Sequence, residues 1–95
     1  MENTRTKNMR DIASRIENMI MHYGRRQDIT VRYTSIGDGN INRYNDFQRR
    51  YHGILTGNEY FMIEEPGALL YAVNVTGDSL MTAAAELMAL VGKKF

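Results

Sequence analysis

The sequence predicts a single α+β domain of two layers, in the order α-β-β-β-β-α, with an antiparallel four-stranded meander packed against two helices. Three observations predict it. Near the start, Met9, Ile12, Ile16, Met19, Ile20 and Tyr23 recur at the three- and four-residue spacing of one helix face. The middle of the chain alternates short β-prone runs with turns rich in Gly, Asn and Pro. The end, residues 76–95, reads as a capped helix whose apolar surface is too wide to stand uncovered.

Taken in order, residues 1–5 lack apolar periodicity and are expected to fray. The first helix is predicted over about 5–23, supported by Asp11 four residues before Arg15 and stopped by Gly24 in a left-handed C′ conformation. Ile29, Val31 and Tyr33 then alternate with Thr30, Arg32 and Thr34, the pattern of a half-buried strand. Gly37-Asp38-Gly39-Asn40 reads as a loop between strands. Residues 44–55 fit a helical spacing at Tyr44, Phe47, Tyr51, Ile54 and Leu55, but Gly57-Asn58 between Leu55 and Tyr60 suits a two-residue hairpin turn. A strand over at least 48–56 is therefore expected to pair with one over 60–65, with Ile54 opposite Phe61, His52 opposite Ile63 and Leu55 opposite Tyr60. Pro66-Gly67 forms a type II turn, and the apolar run 69–75 reads as a central strand buried on both faces. The closing helix is capped by Asp78 or Ser79, carries Leu80, Ala83, Ala84, Leu87 and Val91 as its main stripe, and ends at Gly92. Met81, Ala85 and Met88 widen that stripe and are the candidate surface for a homodimer or another partner.

Length and composition bound the function. The domain spans residues 1–95, with 43% hydrophobic and 24% charged residues, which suits one folded domain with a modest core. No apolar run is long enough for a membrane span and no secretory signal is expected, so a soluble cytoplasmic protein with no membrane partner is the expectation. Asn74-Val75-Thr76 matches a glycosylation sequon, which a cytoplasmic chain does not use. Without cysteine there is neither a disulfide nor a thiolate nucleophile. His22 and His52 are the only histidines, and Glu64 and Glu65, neighbours on a strand, point to opposite faces. No phosphate-binding loop, metalloprotease motif or calcium loop is present, so neither enzymatic activity nor a cofactor or metal is expected.

Charge is distributed unevenly. Residues 1–53 carry ten basic against six acidic side chains, whereas 54–95 carry two against five, and nine of the twelve cations are arginines. Arg25, Arg26, Arg32, Arg43, Arg49 and Arg50 are interleaved with Tyr23, Tyr33, Tyr44 and Tyr51. Arg and Tyr are enriched at protein interfaces, and the same mixture can track phosphates and stack bases. The candidate partner-binding residues are Arg25, Arg26, Arg32, Arg43, Tyr44, Arg49, Arg50 and Tyr51. A net charge of only +1 favours a protein or nucleoprotein partner, with direct nucleic-acid binding as the alternative.

The helix-sheet-helix order and the closing Thr-Gly-Asp-Ser-Leu-Met-Thr-Ala-Ala-Ala-Glu-Leu resemble double-stranded-RNA-binding domains. The resemblance implies the fold alone, since Asp78, Ser79, Leu80 and Met81 stand where those domains place phosphate-gripping lysines. Residues 69–95, with a Tyr-Ala-Val strand, a Thr-Gly-Asp-Ser-Leu turn and Thr-Ala-Ala-Ala-Glu-Leu-Met, also resemble the tails of small proteins carried on bacterial mobile elements. That likeness implies an inhibitor of host defence, of the anti-CRISPR kind. A DNA mimic is not expected, because mimicry needs strong negative charge.

Overall fold

The structure, a computed structural model, describes residues 3–24, 26–35 and 57–95. Over them the chain forms helix α1 (Thr4–Tyr23), strands β1 (Thr30–Ser35), β2 (Glu59–Glu65) and β3 (Ala68–Asn74), and helix α2 (Leu80–Lys94). The strands make an antiparallel sheet in the order β1-β2-β3, with the core between one of its faces and the two helices. The fold is therefore α+β with two helices and three strands among the described residues. The fourth strand expected over 48–56 and the loop expected at 37–40 lie outside them.

Met9, Ala13, Ile16 and Ile20 are the buried stripe of α1, as their spacing requires. The helix runs as its spacing predicts, but the fraying expected of residues 1–5 does not extend to residues 3–5. Asn3 is its N-cap, its side-chain oxygen accepting from the Thr6 N–H at 2.7 Å. The Arg5 side chain is anchored to the sheet rather than frayed. At the other end Gly24 is not left-handed but extended, with φ −82°, and its N–H donates to the Ile20 carbonyl at 2.7 Å. Glycine is needed here because a Cβ would overlap that carbonyl oxygen.

The central strand is β2, where Tyr60, Phe61, Met62 and Ile63 are all buried. Phe61 lies between Tyr33 and Val73, Ile63 between Val31 and Tyr71, and Tyr60 between Thr34 and Asn74. These partners replace the expected pairings with Ile54, His52 and Leu55, because β1 and β3 occupy both edges of β2. The central place expected for residues 69–75 is likewise corrected: β3 flanks β2 and is half-buried. A bulge explains the misleading apolar run. The register steps from Ile63↔Tyr71 to Glu64↔Leu69, leaving Leu70 as the extra residue, and both Leu70 and Tyr71 pack on the helix-side core. On the opposite face Tyr60 and Met62 gather Leu69 and Ala72 into a second, smaller cluster.

Between β3 and α2 the chain turns at Thr76-Gly77, where Gly77 has φ +72°, and the Pro66-Gly67 turn has Gly67 at φ +80°, as its type requires. Ser79 caps α2 by accepting from the Thr82 N–H at 3.1 Å. Ala83, Leu87 and Val91 enter the core. Gly92 does not end the helix, which runs on to Lys94, because without a left-handed φ a glycine remains an ordinary helical residue. The end of α2 is held over β3, with the Phe95 and Tyr71 rings 6.0 Å apart edge to face and the Lys94 ammonium 5.3 Å from the Tyr71 ring centre.

Gly57, buried just before β2, lies against Asn74 and Thr76. A Cβ there would fall 2.5 Å from Asn74 Oδ1 and closer still to Thr76 Oγ1. Thr76 Oγ1 accepts from the N–H groups of Asn58 and Glu59 at 2.8 and 3.1 Å, so it cannot retreat without losing both. Gly57→Ala is expected to destabilise the domain by about 1–3 kcal/mol, the scale of overpacking. Urea unfolding should show a lower midpoint with an unchanged slope.

Candidate functional site

Four residues of α1 at helical spacing, Arg10, Ala13, Ser14 and Glu17, face β1 across an open cleft of about 620 Å³. Thr30 and Arg32 are on the strand side. The volume falls in the range of ligand-binding clefts, but the lining is mainly polar: two arginines, three hydroxyl-bearing residues and a carboxylate beside Ala13 and Val31. Glu17 has a structural task there, as its Oε1 accepts the Val31 N–H at 2.8 Å and so covers an outward-pointing backbone donor of β1. Arg32 is exposed and, among the described residues, has no ion-pair partner.

The structure separates the arginines that the sequence groups together. Arg26 is committed: it donates to Asp28 at 3.1 and 2.9 Å and pairs with Glu65 across to β2. The hydrogen bonds to Asp28 and then Glu65 push the guanidinium pKa up, and the Arg26 hydrogen bond holds the Asp28 carboxyl below its ordinary value. Tyr33 is not a stacking platform. It is buried, its ring lies edge to face with Phe61 at 5.9 Å, and its hydroxyl donates to Glu59. Tyr23 is exposed at the end of α1, with its ring 4.6 Å from that of His22. Arg25, Arg43, Tyr44, Arg49, Arg50 and Tyr51 lie outside the described residues, as does His52. Met81, Ala85 and Met88 are all exposed on α2. They do not join the cleft.

Sequence reasoning missed the principal polar cluster. Glu59, at the start of β2, keeps 14% of its side chain exposed and accepts from four donors. Arg5 approaches as a fork, Nε at 2.8 Å and Nη2 at 3.1 Å; the Tyr33 hydroxyl and the Gly77 N–H at 3.1 Å complete the set. Arg5 Nη1 also donates to the Asp78 carbonyl at 2.6 Å, and Nη2 reaches the Val75 carbonyl at 3.4 Å. Beside it Thr76 N–H and Oγ1 both donate to Asn74 Oδ1, at 3.0 and 2.6 Å, so the two side chains of the sequon are hydrogen-bonded to each other. Arg5 and Glu59 stand 54 residues apart and belong to no periodic pattern. The one available signal was an arginine in the first helical turn, where the macrodipole disfavours a cation unless an anion compensates it.

Among the described residues no group of acidic or histidine side chains is arranged to hold a metal ion, and no helix is long and apolar enough to cross a membrane. Comparison with protein-family models, curated proteins and solved structures finds no match to this chain.

The Glu59 cluster has a pH consequence. Burial works to raise its carboxyl pKa, but the hydrogen bonds from Arg5, Tyr33 and Gly77 and the Arg5 charge outweigh it, so the net direction is down from 4.5. A carboxylate depressed on folding stabilises the native state above its unfolded pKa, and that stabilisation is lost as pH falls through the folded value. Stability is therefore expected to drop as pH falls below about 4.5. Glu59→Gln should lower stability at pH 7 and flatten the acid limb; urea midpoints measured from pH 7 to 3 on both chains give the comparison.

Proposed function

We propose that this chain is a non-enzymatic interaction protein that captures a protein or nucleoprotein surface through the α1/β1 cleft. The observation that carries the reading is Arg32: exposed, without an ion-pair partner among the described residues, and at the β1 edge of an open cleft that Arg10 and several hydroxyls also line. An unpaired arginine at such a rim is a ready donor for a carboxylate or phosphate on a partner, because its fork makes two parallel hydrogen bonds. Polar lining suits a partner's surface better than a buried apolar ligand. The tail that resembles mobile-element proteins coincides with β3, its turn and α2, and supports a role as an inhibitor of bacterial defence of the anti-CRISPR kind. Such a protein works in the cytoplasm.

Direct nucleic-acid binding is the second reading, since Arg10 and Arg32 are equally suited to phosphates. It receives less support, because Arg26 is neutralised by two carboxylates and Tyr33 is buried.

The inhibitor reading is tested by phage plating on hosts with active CRISPR systems of each major type, with and without the chain. Plating should rise many-fold on at least one host, and Arg10→Glu with Arg32→Glu should abolish the rise while leaving the melting temperature within a few degrees. Unchanged plating on every host removes the inhibitor role, and an active double variant removes the cleft. Titration of duplex and single-stranded oligonucleotides against salt separates the second reading. Binding should be weak and vanish at moderate salt, whereas affinity persisting there would favour nucleic acid.

A further inference from the structure

We propose that the exposed face of α2 pairs with the same face of a second copy of this chain, the two helices running antiparallel about a two-fold axis. Met81, Ala85, Met88 and Gly92 follow one another at steps of four, three and four residues, so they form one stripe along most of the helix. All are exposed, Met81 at 83% and Met88 at 43%. The stripe carries no charge over a helix of about 22 Å. An ordinary solvated helix face would be polar.

The order of sizes identifies the occupant. Read forward from Met81, the stripe runs large, small, large, small; read backward from Gly92, it runs small, large, small, large. When two such helices lie antiparallel and centred between Ala85 and Met88, Met81 meets Gly92 of the second copy and Ala85 meets Met88 of the second copy. Each large side chain thus faces a small one, and the two-fold axis repeats both contacts, as an isologous interface demands. A parallel pairing would set Met against Met and Gly against Gly.

Gly92 supplies an independent argument. It lies inside α2, where glycine is a poor helix former, and it has no positive φ. Among the described residues a Cβ built on it meets nothing within 4 Å, so none of their contacts calls for glycine at this place. The space beside it is open to a side chain from outside, and in the antiparallel register that side chain is methionine, which adapts its shape to irregular gaps.

Charge agrees with the same orientation. Asp78 precedes α2 and Glu86 lies on its second turn, both acidic; Asp78 Oδ2 is buried without a hydrogen-bond partner among the described residues, and the neighbouring Asp78 carboxyl pushes the Glu86 carboxyl pKa up. Lys94 is drawn to the Tyr71 ring, which leaves Lys93 exposed at the other end of the helix. Antiparallel pairing carries Lys93 of the second copy to the level of Leu80, between Asp78 and Glu86 along the chain, so that charges of opposite sign approach across the interface.

A single helix pair covers less than the roughly 800 Å² per partner of a standard interface, so the dimer is weak, with a dissociation constant on the order of 10–100 µM. Sedimentation equilibrium from about 1 µM to 1 mM should show the average mass rise from 10.9 kDa towards twice that value. Met81→Lys should keep it at 10.9 kDa throughout with an unchanged circular dichroism spectrum, since that side chain is outside the core. The chain has no cysteine, so introduced thiols report orientation cleanly. A mixture of Met81→Cys and Gly92→Cys chains should form the mixed disulfide several-fold faster than either forms its own. A chain that stays monomeric to 1 mM overturns the dimer, and faster 81–81 or 92–92 cross-linking overturns the antiparallel arrangement.

Discussion

One carboxylate ties together nearly every element of the described fold. Glu59 opens the central strand, and its donors come from α1 (Arg5), β1 (Tyr33) and the turn that leads from β3 into α2 (Gly77). Arg5 extends the tie by capping the carbonyls of Val75 and Asp78. A charge with only 14% of its side chain in solvent is tolerated because the fork of Arg5 and two further donors satisfy its oxygens. Its contribution is better described as fixing geometry than as adding net stability, since a partly buried pair repays little more than its desolvation. Losing one member would strand the other, which makes the arrangement hard to escape.

That geometry dictates what the surface offers. Anchoring Arg5 beside Asp78 forces both helices to start at the same end of the sheet, with α1 laid against β1 and α2 ending over β3. The buried stripes of both then point to one sheet face, where Phe61 and Ile63 receive them. What remains outward on α2 is the uncharged Met81-Ala85-Met88 face, and what remains at the β1 edge is the cleft with Arg10 and Arg32. Both candidate surfaces follow from one polar constraint applied to two amphipathic helices.

Local patterns were legible in the sequence where local physics decides. The Met9 to Ile20 stripe, the alternation from Ile29 to Thr34, the turn at Gly67 and the Ser79 cap all depend on residues within a few positions of one another. Long-range facts were not. The run 69–75 looked like a central strand because a bulge at Leu70 lets two consecutive residues face the same core, which periodicity cannot express. Tyr60 to Ile63, the true centre, carries an equally continuous apolar run, and only its two neighbours distinguish it. Among the candidate site residues, Arg26 and Arg32 read alike in sequence. Asp28 and Glu65 neutralise the first, and of those two only Asp28 was near enough in the chain to suggest it.

The two proposed surfaces do not compete. The cleft lies where α1 meets β1, and α2 is held over β3, across the sheet from it. Pairing through α2 therefore leaves both clefts of a dimer open, each with its own Arg10 and Arg32. A dimer with two identical clefts gains most against a target that presents its site twice, because the second contact is made at the effective concentration set by the first. A weak helix pair suffices for this, as two-point engagement of the target itself draws the copies together. The α2 face need not touch the target, and its Met and Gly residues need only fit each other.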